Sequence, residues 1–344
     1  MDDSGLTRGF RWHKPEISVV ISTLGNYSGL KRVLDRLVNQ DAPRRSFEVI
    51  VVADAAEPDP DAVERAIGTR PYSVRHLTGT RPGLSANRNV GTSAAKAPLL
   101  LFTDNDTLGE PQLLSEHLAW HRRYPDEEVA VLGHVRWARE LKVTPFMHWL
   151  DHGFQFDYPN IHGIEAGWGR FYGANVSVKR SFVDRVGGFD EERMPYLYDD
   201  LDFGYRASKH GLRLLYNRRA VVEHLREMDL SYWRSRMKQV AHAEREFVRL
   251  HPDIEPYFHD RFSDAVAQPP ANGRGRHLIR LVPRSIPWLG LKVWHSADLY
   301  FRQQLAPEFL KAWDEEAPDR ADGPVAPYLL EREAVSSAGS AATG

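Results

Sequence analysis

Short apolar runs and helical apolar stripes alternate along the first hundred residues. Ile17-Ser18-Val19-Val20-Ile21 is rich in β-branched residues, Val49 to Val52 is a similar run, and Leu99 to Phe102 is another short apolar run. Runs of this kind suit strands covered on both faces in a parallel sheet. Between them Leu30, Val33, Leu34, Leu37 and Val38 recur at helical spacing. Ala62 to Ile67 and Ser85 to Ala95 predict further helices, and Ser73 to Leu77 a weaker strand. The rhythm predicts an α/β protein built on a doubly wound sheet. Such sheets bind ligands at the carboxyl ends of their strands. Ser22-Thr23-Leu24, Asp54 and Asp104-Asn105-Asp106 each follow a predicted strand and are the first places to look.

Beyond Gly109 the rhythm changes. Residues 111–124 read as a helix and Val129 to Leu132 as a strand; residues 134–170 read as irregular and aromatic-rich. Ser181 to Val186 predicts a helix closed by Gly187-Gly188, and Leu201 to His210 another that ends at Gly211. Leu212 to Tyr216 and Ala220 to Glu223 predict two short strands, and Tyr232 to Leu250 a long polar helix. A second helical region lies within 276–315, around Trp288, Leu289, Leu291, Trp294 and Tyr300. The small polar residues of 334–344 predict disorder.

Composition narrows the function classes. The chain has 344 residues, of which 42% are hydrophobic, enough for a sizeable core. Its 45 basic and 47 acidic residues nearly cancel, which argues against a nucleic-acid partner held by bulk charge. With no cysteine, disulfides, zinc–thiolate sites and cysteine nucleophiles are excluded. The opening MDDSGLTRGFRWHK does not read as a signal peptide, and no apolar run approaches a membrane span. The expected location is cytoplasmic.

Candidate chemistry sits in a few clusters. Asp104 and Asp106 flank Asn105 directly after a strand; hard divalent cations take carboxylate oxygens, although Asp and Asn also build ordinary turns. Asp199, Asp200 and Asp202 open a helix, where capping accounts for one or two acids better than for three. A carboxylate there suits a general base. Gly83 to Asn89 opens another helix, where backbone N–H groups and Arg88 would suit phosphate, or form an ordinary cap. Gly173-Ala174-Asn175 is either a close backbone approach to a ligand or a turn, and His224 either a metal ligand or a structural residue at a strand end.

Taken in order, these segments resemble the family-2 glycosyltransferases of GT-A fold, from Ile17 to about Pro252. Ile17 to Thr23 is similar to the family's first strand and nucleotide-facing turn, and Glu48 to Asp54 to its second strand. Ala86-Asn87-Arg88-Asn89-Val90-Gly91 is similar to its A-R-N-x-G helix start, and Leu101 to Asp106 to its Asp-x-Asp motif. Phe171 to Ser177 resembles the acceptor-side G-x-N-x-S element, and Gly187 to Glu191 with Asp199 to Arg206 the GGFDE…ED-x-D-L-x-x-R block. Two departures bear on donor contacts: Ala53 stands where an Asp is common, and Ala55-Ala56 replace Gly-Ser. Asp199 stands in place of Glu.

The resemblance implies a metal-dependent, inverting transfer from a nucleotide-diphosphate sugar, UDP favoured, with a Rossmann-like mixed sheet and a C-terminal helical extension. It implies Asp200 as catalytic base and Mg²⁺ or Mn²⁺ on Asp104 and Asp106, with His224 as a further ligand. Ser22, Thr23, Asp54, Arg88, Asn89, Asp104 and Asn105 would contact the donor. Trp168, Tyr172, Gly173, Asn175 and Asp199 would contact the acceptor: a glycan, a lipid-linked sugar or a small molecule. Trp149 and Phe171 are further stacking candidates, unless these aromatics form a satellite core.

The implied organisation is an N-terminal tail (1–14) and a catalytic domain (15–224) with donor half 15–109 and acceptor half 110–224. A helical region (225–330) and a disordered tail (331–344) follow. The helical region would shape acceptor access or form a homodimer contact. Leu278 to Lys292, with Arg280 and Arg284 among its apolar residues, is a candidate for peripheral contact with the inner membrane surface. Two rivals remain: a sugar-nucleotide nucleotidyltransferase, whose basic phosphate loop is missing from Ser22 to Gly29, and a non-catalytic glycan-binding protein.

Overall fold

The computed structural model describes residues 14–315. The predicted tail 331–344 lies outside them. The first layer alternates as the apolar runs predict: β1 (Ile17–Thr23), α1 (Tyr27–Leu37), β2 (Phe47–Ala53), α2 (Pro60–Ile67), β3 (Ser73–Thr78), α3 (Leu84–Ala94) and β4 (Leu99–Asp104). Then come β5 (Thr107–Gly109), α4 (Leu113–Arg123), β6 (Val129–Trp137), α5 (Pro145–Leu150), β7 (Asn175–Lys179), α6 (Arg180–Val186), α7 (Asp199–Lys209) and β8 (Arg213–His224). Three helices follow: α8 (Leu230–Leu250), α9 (Tyr257–Val266) and α10 (Leu289–Asp314).

Among the described residues the strands form one eight-stranded sheet in the order β3-β2-β1-β4-β7-β6-β8-β5. β1 pairs in parallel with β2 and β4, and β7 runs antiparallel to β4, so the sheet is mixed. Every residue of β1 and β2 is buried, as expected of strands covered on both faces. Three differences from the sequence pattern matter. β6 extends to Trp137, into the stretch read as irregular. The two short strands before His224 are one strand, with a register shift against β6 between Gly133 and His134. β5 was not foreseen because its three residues are too short to show a period.

Helix α4 covers β6 and β8 and carries a buried polar link to β7. His117 sits between the Ser177 hydroxyl (2.7 Å) and the Asn175 side-chain oxygen (3.0 Å). His121 reaches Ser177 at 2.9 Å. Burial lowers His117 to about 4 and His121 to about 3. Their folded values lie below the free value near 6.5, so both hold stability above that pH and release it as pH falls toward 4. Thermal unfolding is expected to show a loss on the order of 1–2 kcal/mol per imidazole by pH 5. His117→Gln flattens that slope; an unchanged slope would remove His117 from the explanation.

A second hydrophobic core joins α5, α8, α9 and α10, with Trp149, Trp233, Phe262, Phe301 and Phe309 buried in it. Helix α9 lies inside the region 225–330 expected to be helical, where the sequence pattern sets no bounds for it.

Candidate active site

The parallel register sets Ser22 of β1 beside Asp104 of β4, both at carboxyl ends. β5 then pairs with the end of β8, Thr107 opposite His224, and the Leu225 N–H donates to the Asp106 carbonyl at 2.8 Å. Asp106 and His224, 118 residues apart in sequence, thereby face each other with Oδ1 and Nε2 3.9 Å apart. Arg226 Nε lies 3.3 Å from Asp106 Oδ2. Burial pushes the Asp106 carboxyl up, but the His224 and Arg226 charges outweigh it and hold the group below its usual range. Asp104 goes the other way. Burial raises it to about 6, Arg88 and Arg226 oppose the rise, and the facing carboxylates of Asp106 and Asp200 add to it.

Asp200 comes from a different element. It opens α7 just after Leu197 and Tyr198, both at positive φ (50° and 58°), where residues with a Cβ are strained. Its Oδ2 accepts from the Gly173 N–H at 3.0 Å and its Oδ1 from the Leu201 N–H at 2.9 Å, which fixes the carboxylate. The Tyr198 hydroxyl donates to Glu244 of α8 at 3.0 Å, tying this turn to the C-terminal helices. Burial pushes Glu244 up to about 7.

Two cavities meet at Asp104. The larger, about 550 Å³, is bordered by Asp104, Asp200 and His224 and by the aromatics Trp168, Tyr172, Trp233 and Phe258. The smaller, about 210 Å³, is bordered by Ser22, Thr23, Asp54, Asn87, Asp104, Asn105 and Asp106, with Arg226 and Arg236 opposite in sequence from the C-terminal part. Asn105 donates to Thr23 Oγ1 at 2.9 Å and so braces the Asp104–Asp106 turn. Asp54 borders the cavity with its oxygens already accepting from Gly83 N (2.8 Å), Ala56 N (2.9 Å) and the Tyr196 hydroxyl (3.1 Å).

Several residues singled out in the sequence do other work. Asn89 does not border either cavity: its side chain bonds Phe189 in both directions and reaches Glu191 at 2.7 Å. Leu84, Asn87 and Arg88 share the cavity face of α3 at spacings of three and four, and Asn89 lies a hundred degrees round the helix. Asn175 is buried in the sheet, donating to the Ala220 carbonyl at 2.9 Å, and does not reach a cavity. The start of α3 is not open to phosphate, because Gly83 N bonds Asp54 and Ser85 N bonds the Pro195 carbonyl at 3.2 Å. Trp149 and Phe171 are core. Asp199 and Arg88 both border the larger cavity and form a buried ion pair with each other at its edge. Gly173 packs under this pair: a Cβ there would lie 2.2 Å from Arg88 Nη2.

Breaking a buried pair strands the other charge at a cost of about 3–5 kcal/mol. Arg88→Met and Asp199→Leu are each expected to lower stability in denaturant unfolding by about that much, and the double variant by much less than the sum. Additive losses would contradict the pairing.

The reading of the sequence missed Arg226, Arg236 and Trp233. A signal existed: Trp233, Arg236, Val240, Glu244 and Phe247 recur at spacings of three and four and line the larger cavity from one face of α8.

Whether the acids suit a metal follows from their chemistry. Asp104 and Asp106 offer hard oxygens in a place where carboxylates crowd one another, which a divalent cation would relieve. As they stand, no three His, Asp or Glu among the described residues form a ready ligand group. His224 Nδ1 accepts the Arg226 N–H at 3.2 Å, so a neutral ring carries its proton on Nε2, towards Asp106.

A mixed sheet with a carboxylate pair at its central strand ends and a second acid across one cavity is the architecture of GT-A glycosyltransferases. The chain belongs to the family described as "Glycosyltransferase like family 2", which matches residues 15–241. It is 28% identical over 282 residues to a validoxylamine A glucosyltransferase of Streptomyces hygroscopicus subsp. jinggangensis, covering 71% of this chain and 63% of that protein. It is 25% identical to a glucosyl-dolichyl phosphate glucuronosyltransferase of Haloferax volcanii, covering 61% of this chain and 69% of that protein. The chain thus spans under two thirds of the length of the first of these relatives. The fold is similar to that of a mannosyltransferase of Pyrobaculum calidifontis solved with GDP-Man and Mn²⁺, with TM-score 0.52, 20% identity and 94% and 80% of the two chains covered. It is also similar to GalNAc-T7 with UDP, GalNAc and Mn²⁺, with TM-score 0.54, 14% identity and 75% and 52% covered.

Proposed function

We propose that the protein is an inverting glycosyltransferase that moves a hexose or related sugar from a nucleoside-diphosphate donor, UDP first among them, to a hydroxyl of a compact acceptor. What carries the reading is that Asp104 and Asp200, 96 residues apart in sequence, border one cavity and act on each other electrostatically. The donor nucleotide would occupy the smaller cavity, with Asp54 at the base and Ser22 and Thr23 beside it. Arg226 and Arg236 would face the diphosphate there.

Asp104 and Asp106 would hold Mg²⁺ or Mn²⁺, and His224 would join them on giving up the Arg226 N–H. A bound divalent cation supplies positive charge against the diphosphate as it leaves. Asp200 takes the proton of the attacking hydroxyl as the oxygen bonds to the anomeric carbon. The bond from that carbon to the diphosphate oxygen breaks, and the nucleoside diphosphate departs with the electron pair. Trp168, Tyr172 and Trp233 offer aromatic faces on which a sugar ring can rest. Support for glucosyl transfer to a small molecule comes from the name of the validoxylamine A relative, and for a lipid-linked acceptor from that of the dolichyl phosphate relative.

The test is a panel of UDP-, GDP- and dTDP-hexoses incubated with the full chain and Mn²⁺. Release of nucleoside diphosphate, raised by an acceptor, is the expected result. Pyrophosphate release from a nucleoside triphosphate and a sugar phosphate, with no action on the hexoses, would overturn it in favour of a nucleotidyltransferase.

A further inference from the structure

Nine large apolar side chains are exposed among the described residues, and six of them fall between Leu278 and Leu291. Leu281 is 76% exposed, Trp288 73% and Leu291 59%. The same stretch carries Arg274, Arg276, Arg280, Arg284 and Lys292, and no Asp or Glu between 274 and 292. A loose loop would not explain the exposure. Ile279 and Trp294 of this stretch are buried in the second core, and the Trp294 indole N–H donates to the Val282 carbonyl at 3.1 Å. Gly290 lies so close beneath the Pro283 carbonyl that a Cβ there would come within 2.4 Å of it. The turn is clamped from inside while Leu281, Trp288 and Leu291 point out. Trp288, at positive φ (59°), holds its indole outward next to Lys292.

Exposed apolar residues set among unopposed cations are the features that seat a protein at a lipid interface: the apolar groups enter the acyl boundary and the cations meet anionic headgroups. The complementarity selects one partner. An apolar protein surface would cover the leucines but leave the exposed Arg274, Arg280, Arg284 and Lys292 facing it, whereas an anionic bilayer answers both. Among the described residues no helix is long and apolar enough to cross a membrane, so the contact would be peripheral. We propose that residues 274–292 dock the protein on an anionic lipid bilayer.

Flotation of the full chain with vesicles tests this directly. The protein is expected to float with vesicles containing phosphatidylglycerol, to stay behind with phosphatidylcholine alone, and to detach as salt is raised. Leu281→Ser/Trp288→Ser/Leu291→Ser and Arg280→Glu/Arg284→Glu are each expected to cut partitioning at least about tenfold. Nucleoside diphosphate release in solution should not change. If the apolar variant unfolds by circular dichroism, the charge-reversed variant, altered only at exposed side chains, decides. Equal flotation of wild type and charge-reversed protein would overturn the proposal, as would no flotation at all. A wild-type dimer that the substitutions disperse, with no vesicle binding, would assign the patch to a second copy.

Discussion

Asp200→Asn is expected to lower the rate of sugar transfer by about 10²–10⁴-fold, the usual contribution of a general base, while nucleotide binding persists. The side chain keeps its size but loses the capacity to take a proton. Its two oxygens each accept a backbone N–H, from Gly173 and from Leu201. An amide must turn its NH₂ towards one of those donors, so a stability loss of about 1 kcal/mol accompanies the change. Loss that small cannot explain a hundredfold rate effect, which separates chemistry from misfolding. Transfer at near wild-type rate would remove Asp200 from its role, whatever the cavity around it suggests.

The second large effect is expected at Asp104→Asn. Nucleoside-diphosphate binding in the presence of Mn²⁺, followed by calorimetric titration, should fall at least about tenfold, and transfer by about 10²–10³-fold, the scale of losing one electrostatic stabiliser. Stability should move the other way. Asp106 and Asp200 press on the Asp104 carboxylate, and a neutral amide removes that repulsion. The metal-free variant is therefore expected to melt above the wild type, as happens when a site holds charges that function needs and folding does not. A variant that binds nucleotide as before would show that the cation, or the donor, sits elsewhere.

How far these sites can be read from the chain depends on what places each residue. Asp104 and Asp106 were legible because a short buried apolar run announces its own carboxyl end, and β1 and β2 were legible for the same reason, whereas the half-exposed β3 gave a weaker signal. Asp200 was legible as one acid too many for a helix cap. His224 could be placed at a strand end, but its meeting with Asp106 depends on β5, three residues whose pairing with β8 leaves no periodic trace. The motif match on α3 pointed to Asn89, but helix phase sets Asn87 towards the cavity and Asn89 towards the Phe189 turn. Aromatics were the least legible. Trp149 and Trp168 look alike in sequence, yet one belongs to the second core and the other borders the larger cavity, a difference set by helices α8 to α10 that pack from far along the chain. Arg226, in the link between β8 and α8, and Arg236, on α8, enter the donor side from beyond the segments whose spacing first drew attention.

The most direct measurement is a crystal structure grown with UDP and Mn²⁺, with the ion placed by its anomalous scattering. The expected map has the Mn²⁺ peak against the carboxylates of Asp104 and Asp106, the diphosphate on it, and Asp200 across the cavity from the phosphates with an oxygen open towards the aromatic side. A Mn²⁺ peak away from both aspartates, or an Asp200 carboxylate on the diphosphate side of the sugar position, would contradict it.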